Sequence, residues 1–127
     1  MLFQKPESAW SVECLQKVLF GEQVSLEATF HKKNKIGNAQ GTLVGGNLSL
    51  IVDSLGTSTE INAKNKILVI EEVDEYLYRV DRMMVQLKRA KKLQHLSGLV
   101  VGHMTEMKDT ELPFDESIEE IILHHVE

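Results

Sequence analysis

At 127 residues the chain has room for one core but not for two full domains. A formal net charge of −5, with 43% hydrophobic and 26% charged residues, suits a globular domain and excludes nucleic acid as a main partner, since phosphate binding needs surplus Lys and Arg. The lone Cys14, set among Val12, Leu15 and Val18, excludes an intramolecular disulfide and is expected as a buried small hydrophobe; no apolar run is long enough to span a membrane and no signal-type start is present, so a soluble, cytoplasmic domain is expected.

Pro6 to Phe20 reads as a helix, with Pro6 and Glu7 in a first turn, an apolar stripe of Trp10, Leu15, Val18 and Leu19, and Gly21 to close it. Val24, Leu26, Ala28 and Phe30 alternate with polar residues, a period of two that predicts a half-buried strand. After a polar turn around Gly37, Ala39 to Val44 predicts a second strand, the hairpin partner of the first. Gly45-Gly46-Asn47 breaks the pattern. Leu48, Leu50, Ile51 and Leu55 then predict a short buried helix, with Asn47 as its N-cap and Gly56 as its C-cap.

Ile67-Leu68-Val69-Ile70 is an apolar run bounded by charge, which suits a buried central strand. Asp74 to Lys91 predicts a longer helix with Leu77, Val80, Met84 and Leu87 on one face. A strand is expected over Leu99 to Gly102. Asp115 or Ser117 can cap a last helix that turns Ile118, Ile121, Ile122 and Val126 inward. Together these elements predict an α/β or α+β sheet domain.

Glu71 follows the four apolar residues and therefore stands at the C-terminal end of a central strand, where active-site groups of such sheets gather. On position alone the plainer reading is a solvated acid that begins a loop. Glu71, Glu72, Asp74 and Glu75 fit no EF-hand spacing and suit a helix N-terminus, so no metal is expected. His103 ends a strand, and the adjacent His124 and His125 point in different directions. No zinc-type, nucleophile-elbow or phosphate-loop pattern occurs, and no cofactor is expected.

Gly41-Thr42-Leu43-Val44-Gly45-Gly46-Asn47-Leu48-Ser49-Leu50 resembles the G-T-L-x-G-G-N-L-x-x-L signature of the LD-carboxypeptidase family of serine peptidases. Gly56-Thr57, Ile67 to Glu75, Tyr78 to Leu87 and Gly98 to Gly102 match further blocks of that family in order and at matching intervals. The resemblance implies hydrolysis of an amide between an L- and a D-amino acid by a Ser-Glu-His triad, with removal of D-alanine from murein tetrapeptide in cell-wall recycling as the best-known activity. It implies the C-terminal half of that fold, a swivelling β/β/α-type α/β domain with a mixed sheet. It places the triad glutamate on Glu71 and a substrate-facing asparagine on Asn47.

The same resemblance sets the expected limits. None of Ser8, Ser11, Ser25, Ser49, Ser54, Ser58, Ser97 or Ser117 lies in the family's Gly-x-Ser-Asp context, and His103 stands at about half the expected interval from Glu71. Ser58 replaces the proline that usually follows G-T. The expected organisation is an inter-domain helix over 1–21 and a C-terminal LD-carboxypeptidase-like domain over 22–127, truncated before the histidine segment. Expected partners are a peptidoglycan-derived peptide, an N-terminal domain that carries the serine, and a second copy through the exposed stripe around Trp10; nucleic acid and membrane are not expected. Two rival expectations are a degenerate interaction module without catalysis and a microcin-type self-immunity peptidase acting on an antibiotic conjugate.

Overall fold

The computed structural model describes residues 6–126. The chain divides into two compact units, Met1–Asn34 and Lys35–Glu127. Among the described residues the first contains one helix, α1 (Pro6–Leu19). Trp10, Leu15, Val18 and Leu19 of its stripe are each more than half exposed, and Cys14 is half-buried rather than buried. Residues 22–30 form no strand, which corrects the expected hairpin. The alternation there has no ladder partner and no face to bury: Leu26 and Phe30 are exposed, and a strand is stabilised by cross-strand and same-face packing rather than by its own backbone preference.

The second unit is built in the order β1 (Leu43–Asn47), α2 (Leu48–Asp53), β2 (Ile67–Val73), α3 (Leu77–Arg89), β3 (Gly98–Thr105) and α4 (Ile118–Val126). Its sheet has the order β1-β2-β3, and both pairings are parallel. The described strands thus make a parallel sheet, where a mixed one was expected. Crossovers through α2 and α3 account for this, because a parallel neighbour needs a connection of a dozen or more residues rather than a hairpin turn.

Alternate residues of β2 fall on opposite faces. Leu68 and Ile70 are fully buried and join Leu48 and Ile51 of α2, Val80, Met84 and Leu87 of α3, and Ile121 and Ile122 of α4 in one core. Fully burying each such side chain contributes about 1.5–3 kcal/mol. Ile67 and Val69, on the other face of β2, are only half-buried, and Leu43 and Val100 beside them are exposed.

α3 starts at Leu77, three residues later than its periodicity suggested. Asp74 adopts a positive φ of 59° and cannot continue a helix, and Asp74 N donates to Thr105 O at 3.0 Å. The expected acidic first turn is therefore absent. Glu71 and Glu72 belong to the strand, Asp74 pairs with Lys108, and Glu75 pairs with Arg79 at 3.4 Å. α4 is closed at its start by a capping box, in which Ser117 N donates to Glu120 Oε2 at 2.9 Å and Glu120 N to Ser117 Oγ at 3.4 Å. Its half-buried His125 meets Asp81 of α3 at 2.8 Å and ties the two helices together.

Candidate active site

The C-terminal ends of β1 and β2 lie side by side, with Asn47 in register with Glu71. Close approach of the two strands depends on Gly45. Its φ is +140°, and a Cβ there would stand 1.8 Å from Val69 O. Only glycine fits that position. The strand then delivers Asn47 directly to the start of α2, where Asn47 Oδ1 accepts from Leu50 N at 3.2 Å. The expected N-cap is present. The glycine pair, expected as a break after the strand, is instead part of β1.

Glu71 and Glu72 are neighbours on β2 but lie on opposite faces. Glu72 is 4% exposed, on the side of Leu68 and Ile70. Its carboxylate accepts from Asn47 Nδ2 at 2.8 Å, Ser49 N at 2.9 Å, Ser49 Oγ at 2.5 Å and its own neighbour Val73 N at 3.0 Å. Burial pushes this carboxyl up, but the bonds from Ser49, Val73 N and Asn47 together outweigh it and hold its pKa below the usual glutamate value. Glu72 is a buried anion compensated by donors alone, with no cation in contact among the described residues.

Glu71 is half-buried, and among the described residues no hydrogen bond or ion pair engages its carboxylate. A bulge in β3 lies opposite it: Ile70 pairs with Val101 and Glu72 with Met104, so Gly102 and His103 both face the single residue Glu71. A Cβ on Gly102 would sit 3.4 Å from Glu71 Cβ and 3.3 Å from Ile70 O, so glycine leaves a notch beside the glutamate. Past the bulge, Leu77 N donates to Lys108 O at 2.9 Å and Lys108 N to Glu75 O at 2.8 Å, which fastens the loop after β2 to the loop after β3. The backbone around Glu71 is therefore held on both sides.

The structure brings the two residues singled out from sequence, Glu71 and Asn47, to adjacent strand ends. Asn47 also lines a surface groove of about 490 Å³ with Gly45, Gly46, Leu50 and Thr59. Glu72 was not singled out. Its signal was strand parity, since it follows Leu68 and Ile70 by steps of two, but an unbroken apolar run does not reveal which parity faces the helices. Among the described residues no group of three or more His, Cys, Asp or Glu is arranged to hold a metal, and no helix is long and apolar enough to cross a membrane.

A parallel sheet with a held carboxylate at the end of its central strand is a common frame for active sites in α/β proteins, and comparison with known proteins narrows the class. The LD-carboxypeptidase C-terminal domain matches residues 40–127, and the chain belongs to that family. It is similar to the "Probable murein peptide carboxypeptidase" of Bacillus subtilis, with 51% identity over 65 residues, 51% of this chain and 20% of that protein. The muramoyltetrapeptide carboxypeptidase of Oxalobacter formigenes superposes with a TM-score of 0.66 at 31% identity, over 74% of this chain and 32% of that one. A microcin C7 self immunity protein shares the fold at 19% identity, with a TM-score of 0.70 over 97% of this chain and 44% of its own. The chain thus spans about a fifth of the Bacillus relative.

Proposed function

We propose that this domain supplies the acidic member of a Ser-Glu-His triad to a serine-type LD-carboxypeptidase that cuts murein tetrapeptide in the cytoplasm, during cell-wall recycling. The observation that carries this reading is the contrast at the end of β2. Glu72 is saturated by four donors, whereas Glu71 keeps its carboxylate unengaged beside the Gly102 notch. In the role proposed, Glu71 accepts the Nδ1–H of an imidazole, fixes its tautomer and stabilises the imidazolium formed as the serine attacks. A rigid strand end suits that task, because the acid must hold geometry rather than move a proton.

The serine and the histidine come from outside these 127 residues, in the polypeptide or assembly that completes the enzyme. The test is release of D-alanine from murein tetrapeptide. The complete enzyme is expected to release it. The isolated 127-residue chain is expected not to, since loss of nucleophile and base costs on the order of a millionfold in comparable triads. Measurable turnover by the isolated chain contradicts the assignment. A complete enzyme that spares the tetrapeptide but cleaves an aminoacyl sulfamoyl nucleoside would move the substrate to the self-immunity branch.

A further inference from the structure

We propose that Glu72 is a positioning residue of this site, locking the carboxamide of Asn47 in one of its two orientations so that Asn47 presents an N–H to an acceptor oxygen of the bound peptide. The inference rests on the function proposed above for its last step only. The lock itself follows from hydrogen-bond inventory. Leu50 N can only donate, so the Asn47 atom 3.2 Å from it must be the oxygen. An ionised Glu72 can only accept, so the Asn47 atom 2.8 Å from Oε1 must be the nitrogen. Flipping the amide would set N–H against N–H at Leu50 and oxygen against oxygen at Glu72. Two contacts enforce one orientation.

Glu72 is itself pinned by Ser49 N, Ser49 Oγ and Val73 N, and it is almost wholly buried, so the anchor has no freedom to follow a wandering asparagine. One hydrogen on Asn47 Nδ2 is then committed inward, and one remains for a ligand in the groove that Asn47 lines. A peptide carbonyl or carboxylate oxygen is the chemistry that such a donor recognises. A free asparagine would spend much of its time offering the wrong edge, and the intended oxygen would meet an acceptor.

The first half of the test uses the 127-residue chain without ligand and reads hydrogen exchange at the Asn47 side-chain amide by NMR. In the wild-type chain the hydrogen committed to Glu72 should exchange about tenfold more slowly than its geminal partner, the protection of one net hydrogen bond. Glu72→Gln should abolish the difference. Ile121→Val, a core change distant in sequence from the site, should preserve it and so separates positioning from general loss of stability. Equal exchange of the two hydrogens in the wild-type chain would overturn the proposal even if no variant folds.

The second half is a double-mutant cycle in the complete enzyme. Glu72→Gln should lower kcat/KM about tenfold, and adding it to Asn47→Ala should lower it no further, because the first acts through the second. Additive effects would overturn the positioning role. A wild-type complete enzyme with no L,D-peptidase activity would instead sink the proposed function, and amide exchange would then decide the lock alone.

Discussion

Leu68, Ile70 and Glu72 alternate along β2 with Ile67, Val69 and Glu71, and the two sets occupy different environments. The first set packs under α2, α3 and α4, where even the glutamate is buried and every lone pair direction has a donor in reach. The second set is half-buried, and its glutamate has no partner among the described residues. One strand thus carries two carboxylates of the same covalent type in opposite environments. A buried carboxylate is tolerated only when it is fully hydrogen-bonded, and full hydrogen bonding leaves no capacity for substrate chemistry. The unsatisfied neighbour keeps that capacity. Burial therefore separates the saturated acid from the unengaged one more sharply than sequence position does.

The largest effect that would break this arrangement is at Gly45. Gly45→Ala puts a methyl into Val69 O and forces an alanine to a φ of +140°, so β1 must separate from β2 and the donors at Asn47 and Ser49 leave Glu72. A loss of about 3 kcal/mol or more is expected in urea unfolding of the chain. A loss below about 1 kcal/mol would mean that the close strand approach is not needed.

Next in size is Glu72→Gln. The neutral amide sets an N–H against the Ser49 donors, and a loss of about 2 kcal/mol is expected at neutral pH. The pH dependence follows from the lowered pKa of Glu72. A group with a depressed folded-state pKa binds its proton more readily when unfolded, so its stabilisation is fully present above the unfolded-state value. It fades as pH falls through the acid range towards the folded-state value. Urea midpoints between pH 6 and pH 3 should therefore fall for the wild type and fall less steeply for Glu72→Gln. Parallel slopes would show that Glu72 is not the linked group.

Asn47→Ala should cost about 1 kcal/mol in the same assay, the usual loss for an N-cap. A cost near zero would show that α2 does not depend on this cap.

Much of this fold was legible from residue pattern. The run Ile67 to Ile70, the spacing of Leu77, Val80, Met84 and Leu87, and the inward set of the last helix all became elements that line the core, although Ile67 and Val69 stay half-buried. Long apolar periodicities report burial, which is what forms those elements. The alternation from Val24 to Phe30 failed because it records only an ability to half-bury a strand, and no strand among the described residues pairs with it. The acids after Ile70 read as a cluster just ahead of a helix beginning near Asp74, because their charge suits its dipole. Pairing with β3 instead extends the strand to Val73, and such pairing is a long-range contact that local pattern does not encode. Of the candidate site, Asn47 as a cap was readable from its place before Leu48. Glu71 acquired a role only through family resemblance, and Glu72 was hidden by the unreadable parity of the apolar run.

The division of labour between the two glutamates is tested most directly by Glu71→Gln in the complete enzyme, read as kcat/KM for D-alanine release with the thermal midpoint measured alongside. A fall on the order of 10⁴-fold is expected, the cost of losing the acid from a comparable triad, with the midpoint nearly unchanged, because no described residue of this domain engages the carboxylate and the amide oxygen of Gln can still accept the imidazole N–H. Turnover close to wild type in Glu71→Gln would contradict that division of labour.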